Sequence, residues 1–126
     1  MIFCGESILP GECKRIPIPV PDAQPLDCTC VCGAKPGRTL VVTAGVHGCE
    51  YVGVQAVRTL ARTLDPSMLS GNVILVPLAN PYGFYAGAKR VVPQDGVNLN
   101  GAFPGNRNGS LGQRLAMNAS SLSSVD

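Results

Sequence analysis

Thr39-Leu40-Val41-Val42-Thr43-Ala44-Gly45-Val46-His47-Gly48-Cys49-Glu50 is the stretch from which the rest of the chain can be read. Its first six residues form an unbroken β-branched and apolar run, the pattern of a strand buried on both faces. Gly45 ends that pattern. From Glu50 to Leu64 the period becomes helical, with Gly53, Val57, Leu60, Ala61 and Leu64 on one face and Arg58 and Arg62 on another. Asp65-Pro66 stops the helix, because the residue before proline is driven out of the α region. After Ser70-Gly71, the run Asn72-Val73-Ile74-Leu75-Val76-Pro77-Leu78 reads as a second buried strand. Strand, helix and strand with short links make a βαβ unit, with parallel strands and a right-handed crossover.

Outward from this unit the chain is more broken. Residues 27–33 read as a strand, and Ala34-Lys35-Pro36-Gly37 as a turn. In Arg15-Ile16-Pro17-Ile18-Pro19-Val20-Pro21 apolar residues alternate with proline. Proline cannot donate to a ladder, so an edge strand or extended arm is predicted. Residues 80–110 are rich in Asn, Gly and Pro, and a connection of that length is functional or disordered. Leu111 to Asn118 starts a helix. The expected division is a domain over 1–118 and a disordered, serine-rich tail over 119–126.

With 126 residues, 45% of them apolar and only 14% charged, one folded domain is expected. The 10 Lys and Arg are scattered, the net charge is +2, and Trp is absent. Neither a nucleic-acid face nor a membrane-surface patch is built that way. No apolar run approaches the ~18 residues of a membrane span. The first residues lack a basic, apolar leader pattern, so the expected compartment is the cytoplasm. Six cysteines at 4, 13, 28, 30, 32 and 49 are then expected as free thiols. Cys28, Cys30 and Cys32 alternate, so on a strand they share one face. They serve either as small core hydrophobes or as a metal- or redox-active patch.

Two clusters carry chemistry. His47 and Glu50 sit in a turn entering a helix, and imidazole and carboxylate both bind Zn²⁺. The same spacing also suits a helix-capping turn whose carboxylate complements the helix dipole. Lys89-Arg90 and Asp95-Gly96-Val97-Asn98-Leu99-Asn100-Gly101-Ala102-Phe103-Pro104-Gly105 form the second cluster. Arginine can polarise a carbonyl or hold a carboxylate, and asparagine can orient either; a surface loop of turn-forming Asn and Gly has the same composition.

Ala44-Gly45-Val46-His47-Gly48-Cys49-Glu50, then Gly71 through Pro81, then Asp95 through Gly105 together resemble the succinylglutamate desuccinylase/aspartoacylase family of zinc enzymes. The resemblance runs from about Ile8 to about Leu115. It implies an α/β fold: part of a metallocarboxypeptidase-like (phosphorylase/hydrolase-like) domain with a mixed sheet and a βαβ core. It also implies a zinc-dependent deacylase that cleaves the amide bond of an N-acylated amino acid or similar small acid. His47 and Glu50 match the first two zinc ligands. Arg90 matches the arginine that faces the scissile carbonyl, and Asn100 the first half of the Asn-Arg pair that binds the substrate carboxylate.

The chain departs from the family pattern at three points. Gly101 stands where that pair has Arg, and Asn98 stands where the family has Asp. The third zinc ligand, a histidine, and the glutamate general base are absent from this chain, whose single histidine is His47. The chain therefore reads as the N-terminal part of such an enzyme, inactive by itself. The alternative is a non-catalytic remnant or a metal- or thiol-binding module.

Overall fold

A computed structural model describes residues 1–122. In chain order the strands are β1 (Ile2–Phe3), β2 (Glu6–Ser7), β3 (Cys13–Arg15), β4 (Thr29–Cys32), β5 (Lys35–Thr43) and β6 (Ser70–Val76). The helices are α1 (Tyr51–Thr63), α2 (Pro81–Tyr85) and α3 (Leu111–Ser121), and 3-10 turns cover Pro66–Met68 and Leu99–Gly101. β1 and β2 form a small antiparallel ribbon. The other four strands make one mixed sheet in the order β3-β4-β6-β5. β5 and β6 are parallel, with Thr39 opposite Asn72 and Thr43 opposite Val76, as the βαβ pattern requires. β4 pairs antiparallel with both β6 and β3. The fold is thus α/β with a mixed sheet.

Alternation along the strands divides the core. Ile74 and Val76 face one side of the sheet, where they join Cys28, Cys30 and Cys32 of the β4 region and Leu115, Ala116 and Leu122 of α3 and its end. Leu75 and Val31 are equally buried but face the other side, where α1 presents Val54 and Val57. The proline-spaced arm after β3 buries Ile16, Ile18 and Val20, and Ile18 bridges Leu26. The three alternating thiols are core material. Cys28 Sγ lies 3.8 Å from Cys30 Sγ. Their mutual hydrogen bond and burial hold the Cys28 thiol well above the ordinary thiol range. A thiol held protonated packs as a small hydrophobe and is a poor metal ligand.

Four sequence expectations need correction. β5 is not buried on both faces: it is the sheet edge, with β6 as its one neighbour, and Leu40 is 59% exposed. Its apolar run records propensity, while burial depends on what lies beside the strand. The predicted turn at 34–37 is the start of β5, with a register shift between Lys35 and Thr39. On α1 the predicted face is the packed one at Val57, which is buried, and at Gly53, Ala61 and Leu64, which are half-buried, but it also takes in Val54, and Leu60 lies off it, 40% exposed. Finally, α3 runs through Ser121, and Ala119 and Leu122 are buried. Those residues belong to the packed fold and not to a tail; the rest of the predicted tail, 123–126, lies outside the described residues.

The long segment 80–110 is held at identifiable points. Val92 and Val97 close a tight loop through a 2.9 Å backbone hydrogen bond, and Val91 bridges Asn98. Leu99 is fully buried. Asp95 accepts from the N–H of Val97 at 3.0 Å and of Gly112 at 2.6 Å, so its carboxylate ties this loop to the first turn of α3. Burial pushes the Asp95 carboxyl upward, but these N–H donors and the Ser110 hydroxyl outweigh it and hold it below its ordinary value. A lowered carboxyl stabilises the fold above the unfolded value of about 3.9 and loses that contribution as pH falls through the folded value. Denaturant unfolding of wild type is therefore expected to weaken below about pH 4. Asp95→Asn should be less stable at pH 6 and flatter across that range; identical pH profiles would remove Asp95 from this role.

Candidate active site

The site lies where the parallel strands end. Beyond β5 and β6 the backbones stay paired: Ala44 donates to Val76, Ala79 to Ala44, and Asn80 to Gly45, each at 2.9 Å. The turn from Gly45 to Glu50 then leads into α1, with Glu50 at the N-cap position. Asn80 fixes the turn from below. Its side chain is fully buried, accepts from the Gly83 N–H at 2.8 Å, and donates to the carbonyls of Val46 and Val91 at 3.4 and 3.3 Å. One amide thereby joins the turn, the start of α2 and the long loop.

Within the turn, His47 Nδ1 lies 2.9 Å from Glu50 Oε1. His47 Nε2 lies 3.1 Å from Asn98 Oδ1. The Glu50 side chain makes no capping hydrogen bond to α1, so its carboxylate is committed to His47 and not to the helix end. Asn98 Oδ1 also accepts from the Asn100 N–H at 3.1 Å, which fixes that atom as the oxygen. Nε2 must then carry a proton. The Nδ1 side faces a carboxylate, which can only accept. Two facing acceptors at 2.9 Å need a cation between them, either a second imidazole proton or a metal ion. Nδ1 and Oε1 are borne on partly exposed side chains and belong to the donor classes that zinc takes. His47 and Glu50 therefore fit zinc as two ligands. Among the described residues no third His, Cys, Asp or Glu joins them.

The other residues singled out from sequence are placed less closely. Arg90 and Asn100 are exposed, and among the described residues neither side chain hydrogen-bonds to His47 or Glu50. Arg90 is nonetheless tethered nearby, because Cys49 Sγ donates to the carbonyl of the adjacent Lys89 at 3.3 Å. That contact gives Cys49 a role in loop docking that its sequence position did not reveal. Asn98, marked in the sequence only as a departure from the family's Asp, is the residue of that loop whose side chain meets the imidazole. Its signal was an asparagine two residues before another, the spacing of an Asx turn. At Gly101 a Cβ would meet nothing within 4 Å, so packing does not exclude a larger side chain there.

Four similarities to known proteins bear on this chain. The model of the succinylglutamate desuccinylase/aspartoacylase catalytic domain matches residues 36–125. The N-alpha-acetyl-L-2,4-diaminobutyric acid deacetylase of Halomonas elongata is 41% identical over 80 residues, 64% of this chain and 23% of that protein. The crystal structure of an aspartoacylase family protein from Mesorhizobium loti superposes with a TM-score of 0.76 at 34% identity, covering 90% of this chain and 37% of the other. The product-bound ectoine utilization protein EutE of Ruegeria pomeroyi superposes with a TM-score of 0.67 at 31% identity, covering 82% and 32%. This chain thus spans about a quarter to two fifths of these relatives' lengths.

Proposed function

Because this chain belongs to the succinylglutamate desuccinylase/aspartoacylase family, we propose that it carries the first two ligands of a zinc site in an N-acyl amino acid deacylase. The observation that carries this reading is the His47–Glu50 pair at 2.9 Å, with Asn98 holding the opposite ring nitrogen. Asn98 sets the tautomer that leaves Nδ1 free toward Glu50, the service that outer partners give to metal-bound histidines. Zinc, when bound, would polarise the scissile carbonyl and acidify a water. Arg90 would approach that carbonyl from the loop docked by Cys49, and Asn100 would orient the substrate carboxylate. The Halomonas relative's name is that of a deacetylase for an N-acetylated diamino acid, which supports small N-acyl amino acids as the substrate class. We place the protein in the cytoplasm. Its six unpaired cysteines suit a reducing compartment, and no described helix is long and apolar enough to cross a membrane.

The reading is tested by metal titration. Zinc binding to this chain should be weak and should be lost in both His47→Ala and Glu50→Ala. Asn98→Ala should weaken it about 10–100-fold, the usual cost of losing a histidine's outer partner. Cys30→Ala should leave it unchanged. Zinc that stays bound after both ligand changes but leaves on Cys30→Ala would move the site to the thiols.

A further inference from the structure

A groove on the α1 side of the sheet has no part in the chemistry above. Arg15, Asp27, Gln55, Arg58 and Arg62 converge around a cavity of about 380 Å³ between α1 and the β3–β4 edge. It continues past Arg15 and Arg58 into a second hollow of about 200 Å³, walled by Pro25, Pro81 and Tyr85. The first volume is in the range of small-molecule sites, roughly 300–1,000 Å³. Its charge is unbalanced. Arg15 is paired with Asp27 at 2.5 Å, but Arg58 and Arg62 have no carboxylate partner among the described residues. Arg58 and Arg62 are four apart on α1, a repulsive spacing in a helix. Arg62 in the last turn suits the helix dipole, but Arg58 in the middle has no such reason. Gln55, one turn before Arg58, adds an amide to the same face.

We propose that this groove binds a phosphate-bearing small molecule, its phosphate held by Arg58, Arg62 and Gln55 and its uncharged part laid against Pro81 and Tyr85. Two unpaired guanidiniums call for a dianion with several acceptor oxygens. A phosphate monoester carries about −1.5 to −2 near pH 7 and three such oxygens. A single carboxylate has half that charge and two oxygens. Arginine forks match phosphate bidentately. Tyr85 is 73% exposed, a large apolar surface at the end of the groove where a nonpolar moiety would lie. The site is separate from the zinc ligands, since Arg58 and Arg62 lie two to three turns further along α1 than Glu50, roughly 12–18 Å at 1.5 Å per residue.

The test is calorimetric titration of the 126-residue chain in a chelator-containing, low-salt buffer. The probes are inorganic pyrophosphate, inorganic phosphate, phenyl phosphate and malonate. Pyrophosphate should bind saturably, and at least tenfold more weakly to Arg58→Gln/Arg62→Gln. Glutamine is as good a helix former as arginine, so the exposed helix should persist, as far-UV circular dichroism would show. Gln55→Glu, which adds a repelling carboxylate to the same face, should weaken binding independently. Arg38→Gln, on the edge strand β5 and outside the groove lining, should not. Phenyl phosphate should bind more tightly than phosphate, and Tyr85→Ala should erase that difference. Absence of saturable binding, equal binding by the double variant, malonate matching pyrophosphate, or phenyl phosphate no tighter than phosphate would each overturn the proposal.

Discussion

N-acetyl and N-succinyl amino acids, N-α-acetyl-2,4-diaminobutyrate among them, are expected to release no amine above background when incubated with this chain and zinc. Catalytic zinc is held by three protein ligands, leaving one position for water. Here the proposed ligands are two, the single histidine and Glu50, and no third donor joins them among the described residues. A two-ligand ion is weakly held and its water poorly aimed, and misplacement by about 1 Å costs on the order of 10²-fold. Without a positioned general base a further 10²–10⁴-fold or so is lost. On the family resemblance, Gly101 would leave the substrate carboxylate without a guanidinium, a charged hydrogen bond worth about 1.5–3 kcal/mol. These losses multiply, so the expected rate falls below detection by amine-release assay. Zinc-dependent turnover by residues 1–126 that disappears in His47→Ala would show that a third ligand and a base are present in this chain after all.

Gly48→Ala is expected to destabilise the fold by about 3 kcal/mol and to uncouple His47 from Glu50. Gly48 sits between His47 and Glu50, against the carbonyl of Ala88 and the backbone of Gly83. A Cβ there would meet backbone atoms, which cannot rotate aside as a side chain can. The α2 segment it would strike is itself pinned by Asn80, whose amide has no slack. The turn must therefore move, and with it the 2.9 Å contact between Nδ1 and Oε1. Chemical denaturation should show the loss of stability, and His47 ring resonances in NMR should lose their dependence on Glu50. Gly101→Ala, where a Cβ meets nothing within 4 Å, is the control and should be nearly neutral. A Gly48→Ala variant as stable as wild type would mean that the turn has room for a Cβ and that close packing does not hold it.

The proposed phosphate groove and the His47 site use α1 differently. The N-terminal end of the helix presents Glu50 to the imidazole, and its middle and last turn present Arg58 and Arg62 to the groove. One short helix with only Val54 and Val57 buried has most of its surface free for such contacts.

Local pattern sufficed for part of this protein. The β-branched run at 39–44, the helical period after Glu50 and the run at 72–78 specified two parallel strands and their crossover helix, because side-chain period and backbone propensity are properties of neighbours in sequence. The alternating cysteines specified a shared face for the same reason. The order of motifs from Ala44 to Gly105 carried the family. What the sequence did not carry was anything set by a distant partner. The apolar character of β5 said nothing of its place at the sheet edge, since that depends on which strand lies beyond it. The helix at Ser120 and Ser121 opposes their propensity and is held because Ala119 and Leu122 reach the core. His47 and Glu50 were legible as a pair, three residues apart, but the choice between helix cap and metal donor was not. Asn98, 51 residues away in sequence, takes Nε2 and turns Nδ1 toward a carboxylate that makes no capping bond to the helix, and only the folded loop, anchored through buried Leu99, brings that oxygen to the ring.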